Sequence, residues 1–130
     1  MMRQTDDATA DAKFSEVFGR QFKSSDIKAP RYMLEGDGGA MMFVEAGPRT
    51  YKITLGFDLA SRGLNAKAAI NDGIAWLFNN TDAETIIGNI AADNKACLAM
   101  VPHTYGYELI DHGDVKRYVV TRKAWEARKQ

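Results

Sequence analysis

The chain has 130 residues, and its 17 lysines and arginines balance 17 aspartates and glutamates. With no net charge, no global field draws it to a nucleic-acid backbone or an anionic membrane surface. An apolar fraction of 45% and a charged fraction of 26% describe one ordinary globular domain, 1–130, large enough for a single core and too small for two. A single cysteine, Cys97, rules out an internal disulfide framework; no stretch nears the roughly 20 apolar residues of a membrane span, and the first residues lack the apolar centre of a secretory signal, so a cytoplasmic protein is expected.

Residues 1–11 are small, polar and acidic and read as a mobile tail. Phe14, Val17, Phe18 and Phe22 fall at i, i+3, i+4 and i+8. That spacing predicts a short amphipathic helix over 11–23, running through Gly19 at a cost of about 1 kcal/mol against alanine. Two runs, 31–35 and 40–45, flank Gly36-Asp37-Gly38-Gly39, whose residue types supply the positive φ angles of a tight hairpin. A turn at Ala46-Gly47-Pro48-Arg49 leads into 51–57, which alternates with period two. Three strands thus form an antiparallel meander.

The pattern breaks over 58–63, and helical spacing then takes over from Asn65 to Phe78, through Ala66, Ile70, Ile74 and Leu77, with Asn65 as the predicted cap. Trp76 on this helix should be at least partly buried. A further strand is predicted over 83–91, with Ile86, Ile87 and Ile90; two strands joined by one helix imply a parallel pair and a right-handed crossover. Asn94 opens a second helix, capping it, which weakens near Pro102 and stops at Gly106. Runs 107–110 and 115–121 bracket Asp111-His112-Gly113-Asp114 as a last hairpin, and 123–130 reads as a charged tail anchored by Trp125.

Groups with chemical potential are scattered. Asp111, His112 and Asp114 do not make a closed metal shell, His103 sits at a predicted helix end, and Cys97 between Ala96 and Leu98 reads as core, so no metal is expected. Met33, Met41 and Met42 read as core filling, with a flexible acyl pocket as their functional alternative. Glu35, Glu45 and Asp58 lie on or beside the central strands, where a general base would sit.

The order of these elements carries a resemblance. A hairpin meander, a strand leading to Arg62-Gly63, a helix, a diverging strand, a helix opened by Asn94 and Gly106-Tyr107 before a final hairpin resembles the GCN5-related N-acetyltransferase (GNAT) fold, over about residues 31–125. The resemblance implies an α/β fold with a mixed sheet: an antiparallel N-terminal meander, a central parallel βαβ crossover and a C-terminal hairpin. It implies an acyl-CoA-dependent N-acyltransferase, moving an acetyl group from acetyl-CoA to a small-molecule or protein amine.

In that family the segment after the fourth strand carries Arg or Gln, two residues, Gly, one residue, then Gly or Ala. Its backbone N–H groups hold the coenzyme pyrophosphate at a helix N-terminus. Here the register is Arg62, Gly63, Leu64, Asn65, Ala66, Lys67; by resemblance these six residues, with Asn94, form the cofactor-binding set. Arg62 and Gly63 agree with the family. Asn65 and Lys67 stand where glycine or alanine is expected, so the Asn65 side chain would partly obstruct the phosphate, while Lys67 either offers it a positive charge or points into solvent. The tyrosine that often serves as general acid is replaced by Pro102, and neither Tyr105 nor Tyr107 occupies that position. The catalytic residues are therefore unassigned. The alternative is a chain that keeps the fold without the reaction, in a structural or assembly role; compact variants of this look occur in bacteriophages. The short N-terminal half leaves room for one helix where the family has two and an extra first strand. An exposed edge in the last hairpin would pair a homodimer, unless Lys116, Arg117 and Arg122 guard a monomer.

Overall fold

The computed structural model describes residues 2–36, 38–57, 64–91 and 108–128; side chains at 64–66, 91 and 108–112 stand outside that description. In chain order it contains β1 (Arg3–Gln4), α1 (Asp7–Phe18), β2 (Arg31–Gly36), β3 (Gly39–Gly47), β4 (Thr50–Phe57), α2 (Leu64–Asn80), β5 (Thr85–Ala91), β6 (Glu108–His112), β7 (Val115–Thr121) and α3 (Arg122–Arg128). The seven strands form one sheet in the order β1-β2-β3-β4-β5-β7-β6. Every neighbouring pair is antiparallel except β4 with β5, which is parallel. The mixed α/β sheet, the meander, the crossover and the final hairpin are those expected from the sequence.

Strand alternation sorts the core onto two faces. On β3, Ala40 and Met42 pack with Met33, Ala10 and Phe14 beneath α1. Met41 and Phe43 point the other way, into a larger cluster with Ile70, Ile74, Leu77 and Phe78 of α2. Burying each large side chain contributes about 1.5–3 kcal/mol, so α1 and α2 grip the sheet from opposite sides. The three methionines of the hairpin are core on both faces. Trp76 is partly buried, its ring edge-on to Tyr32 at 5.6 Å.

Several boundaries differ from the sequence reading. Residues 2–11 form β1 and the opening turns of α1 instead of a tail: Arg3 and Gln4 pair with Glu35 and Leu34, and Met2 is buried. This is an extra first strand, which the short N-terminal half was expected to lack. Asp6 caps α1, its Oδ1 accepting a hydrogen bond from the Thr9 N–H at 2.7 Å. At the other end Gly19 stops the helix in the left-handed region, φ 67°, its N–H donating to the Ser15 carbonyl. Phe22 therefore lies beyond the helix. It still joins Phe14 at 4.9 Å, because the connection folds back on α1 through Ser24, whose Oγ donates to Asp11 at 2.9 Å. Asn65 lies inside the first turn of α2, since the helix begins at Leu64. The expected C-terminal tail is α3; Trp125 is buried and packs against Phe78, the rings tilted by 35° with centroids 5.0 Å apart.

Candidate functional site

The parallel pair at the centre of the sheet is only partly closed. Thr50, Tyr51 and Lys52 pair with Thr85, Ile86 and Ile87, and there the pairing stops, although β4 continues to Phe57 and β5 to Ala91. Beyond Lys52, β4 bonds outward to β3, ending at Phe57 opposite Gly39. Beyond Ile87, β5 bonds outward to β7, ending at Ala91 opposite Val115. The two strands have parted like a wedge, and the backbone N–H and C=O groups on their inner edges have no partner across the gap. Unpaired edges inside a sheet are a template for an extended ligand that carries its own amides.

The mouth of the wedge lies at the C-terminal ends of β4 and β5, where α2 also begins. The first-turn N–H groups of a 17-residue helix and its dipole favour an anion there. Leu64, Asn65 and Ala66 contribute the backbone of that turn and Lys67 follows it, half-buried. Arg62 and Gly63 lie outside the described residues, as do Asn94, Cys97, Pro102, His103, Tyr105 and Tyr107. An elongated amide-bearing chain ending in phosphates matches open strand edges leading to a helix start, and coenzyme A has that form. Among the described residues no group of acidic, histidine or cysteine side chains could hold a metal ion.

One polar residue on α2 escaped the sequence reading. Asn71 carries a buried Oδ1 with no hydrogen-bond partner. Its only signal in the sequence was an amide at i+4 from Lys67, which does not distinguish a buried amide from a solvated one.

Register separates the candidate bases. Glu45 pairs with Tyr51, at the closed end of β4, about 20 Å from Phe57 at 3.3 Å per residue. Glu35 pairs with Ala40, which pairs with Gly56, so it is level with the mouth and two strands over, about 10 Å from β4. It holds Arg3 at 3.1 Å and opens on a hollow of about 370 Å³ between α1 and the β2–β3 turn, with Glu16, Lys13 and Arg3 also on its wall. Asp58 lies outside the described residues.

The closed end is built differently. Arg122 Nε donates to the Ala83 carbonyl at 2.8 Å and Nη2 to the Thr81 carbonyl at 2.9 Å, and its guanidinium lies 5.1 Å over the Phe78 ring. Arg117 donates to Asn89 at 3.2 Å. These arginines belong to β7 and the start of α3, inside the sheet order, so they do not guard the outer edge, which is β6. Burial pushes the Tyr51 phenol above its usual range, with Tyr32 and then the carboxylates of Glu45 and Asp82 adding to the shift. It is neutral near pH 7, but it sits at the wrong end of β4 to serve chemistry at the mouth.

No protein-family model matches the sequence, and no curated protein matches it. Solved structures do match by fold. A single-site mutant of spermidine N-acetyltransferase SpeG from Vibrio cholerae superposes with a TM-score of 0.76 at 15% identity, covering 100% of this chain and 99% of that one. A second mutant of that enzyme gives 0.78 at 14% identity over 100% and 98%. The enzyme in complex with CoA and spermine gives 0.70 at 13% over 97% of each chain. At these identities the likeness speaks for the backbone: the chain has the fold of the GNAT-type acetyltransferases, with the parting of β4 and β5 at its centre.

Proposed function

We propose that the chain is an acetyl-CoA-dependent N-acetyltransferase acting on an amine, with a polyamine of the spermidine class as the first acceptor to test. The observation that carries this reading is the wedge between β4 and β5. Its supports are the helix start at the mouth and the fold shared with an enzyme whose solved structure holds CoA and spermine. Open edges of Ile53–Phe57 and Gly88–Ala91 receive the amide-bearing arm. By the resemblance, Arg62, Gly63, Leu64, Asn65, Ala66 and Lys67, together with Asn94, are the residues assigned to the pyrophosphate end of the coenzyme. Acetyl-CoA supplies the activated acyl group.

An amine near pH 7 is largely protonated, so a carboxylate is needed both to hold the ammonium and to take its proton. Among the described residues Glu35 is the carboxylate best placed for this, with Glu16 across the same hollow. Once neutral, the amine nitrogen forms a bond to the acyl carbon while the carbon–sulfur bond breaks, and the nitrogen then gives up its second proton to water to leave the neutral amide. The departing thiolate takes a proton from water, since Pro102 stands where the family's acid would be. Backbone N–H groups on the open edge of β4 supply donors for the thioester oxygen. A cytoplasmic site and pairing of two copies through β6, the outer strand, complete the proposal.

The test is calorimetric titration with acetyl-CoA followed by an assay of free thiol released in the presence of spermidine. Micromolar binding and turnover are expected, with Glu35→Gln lowering kcat/KM for the amine about 100-fold while acetyl-CoA affinity stays unchanged. Absence of binding would overturn the reading. Binding without thiol release would favour the second reading, a fold kept for a structural or assembly role, for which Pro102 is the specific motive.

A further inference from the structure

We infer that Asn71 recognises the pantetheine arm of the acyl donor, its Oδ1 accepting a hydrogen bond from an amide N–H of the arm where β4 and β5 part. This rests on the function proposed above. Asn71 Oδ1 is shut off from solvent and has no hydrogen-bond partner. A buried amide oxygen left unpaired costs about 1–3 kcal/mol, which any apolar side chain of similar size would avoid. Asn71 is partly buried as a residue, but the protein offers this oxygen no donor, so a donor that arrives with a ligand is the natural partner.

Its position on α2 agrees. Gly73 lies against Met41, and Trp76 against Tyr32, so one flank of the helix looks toward β3 and β2. Phe78 meets Trp125 and Arg122 of α3, so the opposite flank looks toward β5 and β7. At about 100° per residue, Lys67, Asn71 and Phe78 fall within roughly 40° of one another on that second flank. Phe78 is level with the closed end, because Arg122 directly follows Thr121, the partner of Thr85. Seven residues toward the start of α2 is about 10 Å, or about three strand residues. Asn71 is therefore level with Gly88, the first residue of β5 past its pairing with β4. Lys67 stands one turn nearer the mouth. A phosphate near Lys67 and an amide near Asn71 follow the direction in which coenzyme A would enter.

Two ligands separate this inference from the reading it rests on: acetyl-CoA, and adenosine 3′,5′-bisphosphate, which keeps the nucleotide end and lacks the arm. Calorimetry is run with both on the wild type, Asn71→Leu and Asn71→Ala, with thermal unfolding of each protein in the absence of ligand. The expected result is an approximately tenfold loss of acetyl-CoA affinity in both variants (about 1.4 kcal/mol) with bisphosphate affinity unchanged. Ligand-free Asn71→Leu should melt about 4 °C higher, because the unpaired oxygen is gone. Unchanged acetyl-CoA affinity in variants of a wild type that binds it would overturn the inference and leave the proposed function standing. Equal losses for both ligands would also overturn it, as a general distortion. A wild type that binds neither would overturn the proposed function itself, and this inference with it.

Discussion

The same two strands behave in opposite ways at their two ends. Over Thr50–Lys52 and Thr85–Ile87 they are paired, and the pairing is reinforced from outside: the Arg49 carbonyl accepts from the Glu84 N–H at 2.8 Å, and Arg122 ties Thr81 and Ala83 to the start of α3. A few residues later each strand bonds only to its outer neighbour. On β4, Ile53-Thr54-Leu55 are ordinary strand residues and do not themselves prevent pairing. The parting is imposed from the flanks, by β3 and α1 on one strand and by β7 on the other. A gap held open by the strands' outer neighbours is already shaped before a ligand arrives, which lowers the cost of binding an extended chain.

The change that should do most damage strikes the flank that holds β5. Gly88 pairs with Tyr118, and a Cβ on Gly88 would sit 2.0 Å from that ring's Cζ. Tyr118 is buried, so its ring must leave its place in the core. Gly88→Ala is expected to lower stability by about 3 kcal/mol in urea unfolding. A loss under about 1 kcal/mol would show that β7 does not fix β5 in the way described. Next in size is the clamp at the closed end. Arg122→Ala removes two charged hydrogen bonds and leaves the Thr81 and Ala83 carbonyls to solvent, costing about 2 kcal/mol. Affinity of the folded variant for acetyl-CoA should stay within about twofold. A large fall in affinity with intact stability would mean that closed and open ends are not separable.

Much of this contrast is legible in the sequence. Period-two alternation from Tyr51 to Phe57 and helical spacing from Ala66 to Phe78 each report local geometry, and the order strand, helix, strand forces the central pair to be parallel. What spacing cannot report is where pairing stops, because that depends on which outer neighbour each strand follows. Gly19 shows the same limit on a smaller scale. As one residue in an apolar pattern it reads as a tolerated interior glycine, whereas its φ of 67° makes it the end of α1. Residues 2–11 looked structureless because alanine, threonine and aspartate carry little hydrophobic signal, yet Asp6 supplies a cap and Arg3 meets Glu35 across the sheet. For the proposed cofactor site, Arg62-Gly63 are named by the resemblance alone and lie outside the described residues. Asn71 is not legible in the sequence, since burial of one amide oxygen follows from the tertiary packing.

The smallest expected effect tests the brace on the other side of the wedge. α1 lays Phe14 against Gly56 on β4, the ring's Cδ1 lying 2.7 Å from where a Cβ on Gly56 would be, so the helix steadies the open end of that strand. Asp6 starts the helix, and the hydrogen bond from the Thr9 N–H holds its carboxyl below the ordinary value of 3.8. A carboxylate whose folded pKa is depressed stabilises the fold above its unfolded pKa and loses that contribution as pH falls through the folded value. The urea midpoint of wild type should therefore exceed that of Asp6→Ala by a constant amount from pH 7 down to about pH 4, and the two should converge below it. Hydrogen exchange should follow the same order, with β4 amides at Thr54–Phe57 losing protection in the variant before those at Thr50–Lys52. If the two proteins differ as much at pH 2 as at pH 7, the cap is not what the carboxylate contributes. If exchange quickens equally along β4, α1 is not the brace of its open end.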